Sequence, residues 1–250
     1  MNLCCPTSWR ELSQDQLRYV FFLLATFADP VVVKTYMLIR FTGVRVVGRN
    51  RWGWQCSKNG QVFYLHAWQV HSFLSQFSFV DSLESMDNRL EVVQGLKAVD
   101  GLLQEDGESG RIISFWEYLC MEQRYQRFLA SRDEAQIDIL ASFLYRLPDG
   151  SRPAELTLTA AERLATIAWY AHIKYVMQRA FPHFFRKVEG DADISDLSVL
   201  ESINVQLRAL TDGDITKEAA VKRTDCWRAL TELDAKAREA EEFRRKYPKS

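Results

Sequence analysis

The chain of 250 residues is 47% hydrophobic and 26% charged, an ordinary balance for a globular protein that excludes disorder over most of its length. Its 11 Gly and 6 Pro are too few for a loop-rich all-β fold. The net charge of -1 does not by itself indicate any class of partner.

Two helices are predicted at the start of the chain. Ser13 followed by Gln16 has capping-box spacing, so the first helix begins there and continues to about residue 28. Asp29 followed by proline matches the preferred N-cap and first position of a second helix. Gly43 is expected to end that helix, because glycine commonly terminates helices.

A small β element is predicted next, over residues 44–66. Its apolar and polar residues alternate, and Asn59–Gly60 is the strongest short hairpin signal in the sequence. Residues 68–77 then favour a return to helix. The predicted fold class is therefore mainly α: a helical domain with a small antiparallel β hairpin inserted in the N-terminal third.

Residues 81–110 give no clear element, and residues 105–110 (EDGESG) predict an exposed loop. Ser114 and Ser131 are each followed three residues later by Glu. This capping-box spacing predicts two successive helices, which end near residues 130 and 146.

Residues 156–188 hold the most apolar predicted helix. Thr159 and Glu162 have capping-box spacing at its start, and Pro182 is expected to end it. Apolar residues cover more than half of its circumference, which is typical of a helix buried on several sides. We therefore expect the other segments to pack around it.

The remaining sequence predicts a turn at residues 190–193, a helix over residues 195–211 and one long helix over residues 216–247. The loop PDGSRP at residues 148–153 is the best internal boundary. It divides the chain into residues 1–147, with the N-terminal helices and the hairpin, and residues 154–250, with the central and terminal helices. The two parts could also form one single domain.

Neither a signal peptide nor a membrane span is predicted. The N-terminus lacks a basic region followed by an apolar run, and no uncharged apolar stretch is long enough to cross a bilayer. The five cysteines are scattered, without a CxxC pair or a disulfide framework. We therefore predict free thiols, a cytoplasmic protein and no membrane partner.

The charge layout is the sharpest feature of the sequence. Residues 30–80 contain six Lys or Arg and no Asp or Glu, whereas residues 81–110 contain eight acids and two Lys or Arg. Cations and aromatic rings in the hairpin form a candidate interaction surface, made of Arg45, Arg49, Arg51, Trp52, Trp54 and Lys58.

Three hypotheses account for this basic hairpin. It could bind an acidic protein surface, or pack against the acidic segment within the fold. It could also bind single-stranded nucleic acid, with cations along the phosphates and with Trp52, Trp54, Phe63 and Tyr64 stacked on bases. Aromatic residues at this alternating spacing are more often the core face of a sheet. A protein partner is therefore the first hypothesis and nucleic acid the second.

The long terminal helix is the second candidate contact element. Its apolar residues follow a heptad-like seam, and several acids precede bases by four residues, which favours a helix that is stable in water. Trp227, Leu230 and Leu233 could dock this helix onto the fold and leave its end solvated. Alternatively, the helix protrudes and binds a partner or a second copy of the chain.

No catalytic or cofactor motif is present in the sequence. It has no Gly-rich phosphate loop, no HExxH and no GxSxG. Cys56, His66 and His71 are potential metal ligands, but their spacing fits neither a helical pair nor a zinc finger, so we predict unrelated packing residues. The prediction is a non-enzymatic protein without cofactor or metal.

Two stretches carry a family resemblance: residues 6–24 (PTSWRELSQDQLRYVFFLL) and 225–248 (DCWRALTELDAKAREAEEFRRKYP). They resemble the ends of uncharacterised proteins encoded in prophage structural modules, at a position similar to that of tail-assembly proteins. The resemblance covers about a fifth of the chain and rests on no diagnostic residue. It implies a role in virion morphogenesis or assembly and no catalytic residue.

Overall fold

The computed structural model describes residue 3 and residues 5–99, 113–186 and 196–247. This part of the chain contains nine α-helices and two small three-stranded antiparallel sheets. The predicted mainly α fold with a small β element in the N-terminal third is therefore confirmed. The loop predicted at residues 105–110 and the turn predicted at residues 190–193 lie outside the described residues.

The chain forms two compact units. Unit 1 comprises Met1–Glu91 and Leu158–His172, and unit 2 comprises Val92–Thr157 and Ile173–Ser250. The apolar helix singled out in the sequence, Ala160–Ala180, thus contributes its first part to unit 1 and its second part to unit 2.

Unit 1 begins with two helices, α1 (Gln14–Thr26) and α2 (Pro30–Thr42). Both capping-box hydrogen bonds between Ser13 and Gln16 are formed at the start of α1. The Asp29 carboxylate accepts the backbone N–H of Val31 at 2.8 Å and so caps α2. Gly43 ends α2 in the left-handed conformation, with φ of 67°, which costs glycine little. The predicted starts of both helices are confirmed.

A three-stranded meander and a helix follow: β1 (Arg45–Asn50), β2 (Gly53–Lys58), β3 (Gln61–His66) and α3 (Ala67–Gln76). The central strand, β2, pairs antiparallel with both neighbours. The turn between β2 and β3 has positive φ at Asn59 and Gly60, 52° and 78°, as a two-residue hairpin turn of type I′ requires. The predicted hairpin is confirmed and gains a third strand.

Aromatic side chains fill much of the core of unit 1. The Trp9 side chain is 1% exposed and stacks on Phe21, with ring centroids 5.7 Å apart. The Trp9 ring also contacts Phe79 edge-on, with centroids 5.3 Å apart. Leu17 and Met37, from α1 and α2, are fully buried. Burying each such side chain stabilises the fold by about 1.5–3 kcal/mol.

The elements of unit 2 are β4 (Val92–Val93), β5 (Leu96–Ala98), α4 (Phe115–Ser131), α5 (Ala135–Leu144), β6 (Tyr145–Arg146), the second part of α6 (Ala160–Ala180), α7 (Asp196–Thr211), α8 (Glu218–Arg223) and α9 (Cys226–Lys246). Strand β5 pairs antiparallel with β4 and β6. Ser114 and Glu117 form the predicted capping box of α4. Helix α6 ends two residues before Pro182, as predicted.

The helix predicted to begin at Ser131 and to end near residue 146 differs from the structure at both ends. Ser131 is the last residue of α4 and does not cap the next helix, while the Asp133 carboxylate accepts the backbone N–H of Ala135 at 3.0 Å. The helix stops at Leu144 because the next two residues pair with β5 as strand β6. That partner strand lies too far away in the sequence for local helix signals to indicate it.

The prediction of one long helix over residues 216–247 is also wrong, because the helix is interrupted between α8 and α9. The backbone N–H of Phe115 donates to the Thr224 carbonyl at 2.8 Å, and the N–H of Cys226 donates to the Ile113 carbonyl at 3.0 Å. These bonds hold the chain extended at the break. Asp225 then caps α9 with its side chain, so the helix restarts directly after it.

Candidate functional site

The inner face of the meander belongs to the core of unit 1. In the register of β2 and β3, Trp54 lies opposite Leu65 and Cys56 lies opposite Phe63, so these four side chains share one face. Cys56 and Leu65 are buried together with Val44, and Trp54 and Phe63 pack against them half-buried. Two of the four rings considered for base stacking therefore serve as packing residues.

The outer face of the meander carries exposed apolar side chains. Tyr64 lies opposite Gln55, and Val62 lies opposite Ser57, on the face away from the core cluster. The Tyr64 side chain is 54% exposed and that of Val62 58%. Arg45 lies opposite Ser57 on the same face and is exposed.

The turn between β1 and β2 presents a third exposed apolar side chain. Trp52 is 64% exposed, and the guanidinium of Arg51 lies 4.6 Å from its ring centroid. The Asn50 side-chain oxygen accepts the backbone N–H of Trp52 at 2.9 Å and that of Gly53 at 3.1 Å, which fixes the turn. We call Arg45, Arg51, Trp52, Val62 and Tyr64 the meander surface.

Most cations of the basic segment remain at the surface of unit 1. Five of the six make no ion pair with any described residue: Arg40 on α2, and Arg45, Arg49, Arg51 and Lys58 on the meander. The four arginines are exposed and Lys58 is half-buried. Lys34, on α2, instead binds the Asp81 carboxylate at 2.5 Å. One sequence hypothesis was that the basic segment packs against the acidic segment, and the Lys34–Asp81 ion pair is such a contact. The cations of the meander make no such contact with a described residue.

Strand β1 lies at the edge of the sheet, because β2 is its only partner strand among the described residues. A β-bulge between Val46 and Gly48 interrupts its register. Bulges and exposed cations are the devices by which proteins keep edge strands from pairing with another chain. We therefore expect the meander to make contacts through its side chains rather than by adding a strand.

The structure supports the docked interpretation of the C-terminal helix. Leu230 and Leu233 are buried, with 0% and 4% exposure, so they are not accessible to a partner. Trp227 is half-buried and its ring centroid lies 5.0 Å from that of Phe181. The backbone N–H of His183 donates to the Asp234 carboxylate at 2.8 Å and ties the helix down one turn further along. The last turns of α9 are exposed.

The described residues hold no group of three His, Cys, Asp or Glu side chains that could bind a metal ion. Cys56 lies on the inner face of the sheet, whereas His66 on β3 lies on the same face as Val62 and Tyr64, the outer one. These two potential metal ligands are therefore on opposite faces of the sheet. Burial raises the pKa of the Cys56 thiol and raises that of Cys226 to about 12, so both thiols are protonated at neutral pH.

No described helix is long and apolar enough to cross a membrane.

Sequence reasoning missed an apolar cavity of about 220 Å³ in unit 1. Its walls come from α2, from the inner face of the sheet and from α3. The α2 wall includes Val31, Thr35 and Leu38, at helical spacing along one stripe. The apolar stripe of α2 can be read from the sequence. The cavity, however, also depends on how α2, the sheet and α3 pack together, and a local sequence pattern does not predict that packing.

Comparison of the chain with protein-family models, with curated proteins and with solved structures gives no match.

Proposed function

We propose that this chain is a non-enzymatic interaction protein that binds an acidic protein surface through its meander surface. The observation that supports this proposal is the combination of exposed Trp52, Tyr64 and Val62 with arginines that pair with no described acid. Trp, Tyr and Arg are the residues in which binding energy at protein interfaces is concentrated. The absence of any acid between residues 30 and 80 favours a partner rich in Asp and Glu.

The experiment uses affinity capture from the native host, followed by reconstitution with each purified captured protein. The Kd is then measured for the wild type and for the double variant Trp52→Ser, Tyr64→Ser. We expect the double variant to bind at least about tenfold more weakly, because truncating a central aromatic contact typically costs 2 kcal/mol or more.

A matched control comes from α3. Trp68 is 70% exposed and lies outside the meander surface, so Trp68→Ser should leave the Kd unchanged. Replacing Arg45 and Arg51 with Gln should flatten the salt dependence of binding. Equal affinity of wild type and double variant for every captured protein would contradict the proposal.

Single-stranded nucleic acid is the second candidate ligand. It is favoured by the exposed rings of Trp52 and Tyr64 beside arginines that pair with no described acid, and disfavoured by the packing of Trp54 and Phe63 into the core. Binding of this kind weakens steeply with salt, because each contacted phosphate releases counterions. Fluorescence anisotropy with labelled single-stranded DNA and RNA at low salt distinguishes the two proposals. No binding at low salt would eliminate this candidate.

The resemblance of both chain ends to prophage-encoded proteins adds a biological setting to the proposal. We infer a cytoplasmic role in virion assembly, in the manner of a tail-assembly protein, with a partner protein or a second copy of the chain as ligand. The neighbouring genes provide the direct check. Tail-tube or tape-measure genes beside this one would support the assembly setting, and a locus without virion genes would contradict it.

A further inference from the structure

The apolar cavity of unit 1 lies on the opposite side of the sheet from the meander surface. Residues of the sheet contribute to its wall from the inner face, among them Trp54, Cys56 and Leu65, and α2 and α3 supply the other walls. Val46 on β1 and Val31 on α2 also line the cavity and are 50% and 58% exposed, so the cavity meets solvent between these two residues.

The lining of the cavity is almost entirely apolar. Apart from Thr35 and Cys56, its described lining residues are aliphatic or aromatic. The Thr35 hydroxyl already donates to the Val31 carbonyl at 2.7 Å, and the Cys56 thiol lies 3.8 Å from the Trp54 carbonyl. A polar group placed inside would lose its hydrogen bonds with water, so the part of a ligand that enters must be hydrocarbon.

The cationic side chain of Arg49 lies next to one residue of this lining, Trp54. Arg49 lies opposite Trp54 in the β1–β2 register, and its guanidinium carbon is 5.5 Å from the Trp54 ring centroid. The Arg49 side chain is exposed and makes no ion pair with a described residue. No Asp or Glu occurs between residues 30 and 80, the range that contains every lining residue except Leu3. A ligand with its chain in the cavity therefore meets positive charge at its head.

The volume limits the size of the chain. A dry cavity of about 150 Å³ with a similar aliphatic lining accommodates benzene, so 220 Å³ suits a hydrocarbon of roughly six to ten carbon atoms. A lipid with two long acyl chains does not fit this space. We propose that the cavity binds the hydrocarbon chain of a free medium-chain fatty carboxylate, with Arg49 facing the carboxylate group.

The test is calorimetric titration of the full chain with sodium octanoate, with octanol and acetate as matched probes. We expect octanoate to bind at a ratio of one, octanol to bind at least about tenfold more weakly, and acetate not to bind. Arg49→Gln should lower octanoate affinity by about tenfold and leave octanol unchanged. Arg51→Gln is the matched control, since Arg51 stacks on Trp52 away from the cavity.

A second pair of variants tests the location. Val46→Trp places a large ring at the open side of the cavity and should abolish octanoate binding, whereas Val47→Trp, at the neighbouring residue outside the lining, should not. Independently of any variant, nuclear Overhauser contacts should join octanoate to the methyl groups of Leu65 and Val70. Absence of octanoate binding to the folded chain, or binding without these contacts, would overturn the proposal.

Discussion

Arg146 is a buried charged side chain in unit 2 that donates to a carboxylate and to two backbone carbonyls among the described residues. Its guanidinium donates to the Glu117 carboxylate at 2.7 Å and to the carbonyls of Ser142 and Phe143, both at 2.8 Å. Truncating Glu117 removes a charged acceptor from a buried cation, which is strongly destabilising. We predict that Glu117→Ala lowers the free energy of unfolding by about 3 kcal/mol, measured by urea denaturation followed by circular dichroism.

Two further variants separate the ion pair from the helix cap. Glu117 also accepts the backbone N–H of Ser114 at 3.0 Å, as part of the capping box of α4. Glu117→Gln keeps an acceptor and loses the charge, so its loss of stability should fall between those of wild type and Glu117→Ala. Ser114→Ala should cost about 1 kcal/mol. If Glu117→Ala were no less stable than Ser114→Ala, the ion pair would contribute nothing.

At the scale of elements, Gly53 determines whether the meander can form. A Cβ atom built at Gly53 would lie 2.1 Å from the backbone carbonyl oxygen of Leu65, on the paired strand. Relief requires β2 and β3 to separate. We predict that Gly53→Ala lowers the free energy of unfolding by more than about 2 kcal/mol and speeds amide exchange in both strands.

The matched control is Gly60→Ala, in the turn of the same hairpin. Its Cβ atom would meet open space, and only the positive φ of 78° opposes it, a cost of about 1 kcal/mol. Thermal unfolding of the two variants side by side measures the difference. A Gly53→Ala variant as stable as Gly60→Ala would show that the strands tolerate a wider separation.

Elements with local signals were predictable from the sequence. The capping boxes at Ser13, Ser114 and Thr159 form in the structure, because both partners of each box lie within one turn. The box at Ser131 has the same spacing and does not form, since Asp133 caps the helix instead. Strand β6 and the break before α9 were not predictable. Both depend on backbone hydrogen bonds to segments far away in sequence, as the bond from Phe115 to the Thr224 carbonyl illustrates.

At the scale of the whole molecule, the sequence showed where charge is concentrated but not which face it occupies. The basic segment was visible as a run without acids, whereas the register of the meander decides that Trp54 points inward and Tyr64 outward. The burial of Leu233 likewise depends on tertiary packing, because a heptad seam is compatible with docking and with protrusion. The cavity arises only where three elements meet.

Stability against acid is also a property of the whole chain, since several carboxyls are more acidic in the fold than usual. Hydrogen bonds from Arg186 and His183 lower the pKa of Glu241, and a hydrogen bond from Lys236 lowers that of Asp212. A carboxyl with a lowered pKa stabilises the fold above its unfolded pKa, and this contribution is lost as pH falls through the folded pKa. Stability should therefore decline below about pH 4.5.

Glu241→Gln isolates one contribution to this decline. The carboxylate of Glu241 accepts from Arg186 at 2.9 Å and lies 3.1 Å from the His183 ring nitrogen, which joins α9 to the turn after α6. We predict that wild type is more stable than Glu241→Gln at neutral pH and that the difference shrinks at acid pH, as the carboxyl takes up a proton. Urea midpoints at both pH values measure this, with the exposed neighbour Glu242→Gln as control. A difference that persists at acid pH would show that packing, and not ionisation, explains the effect.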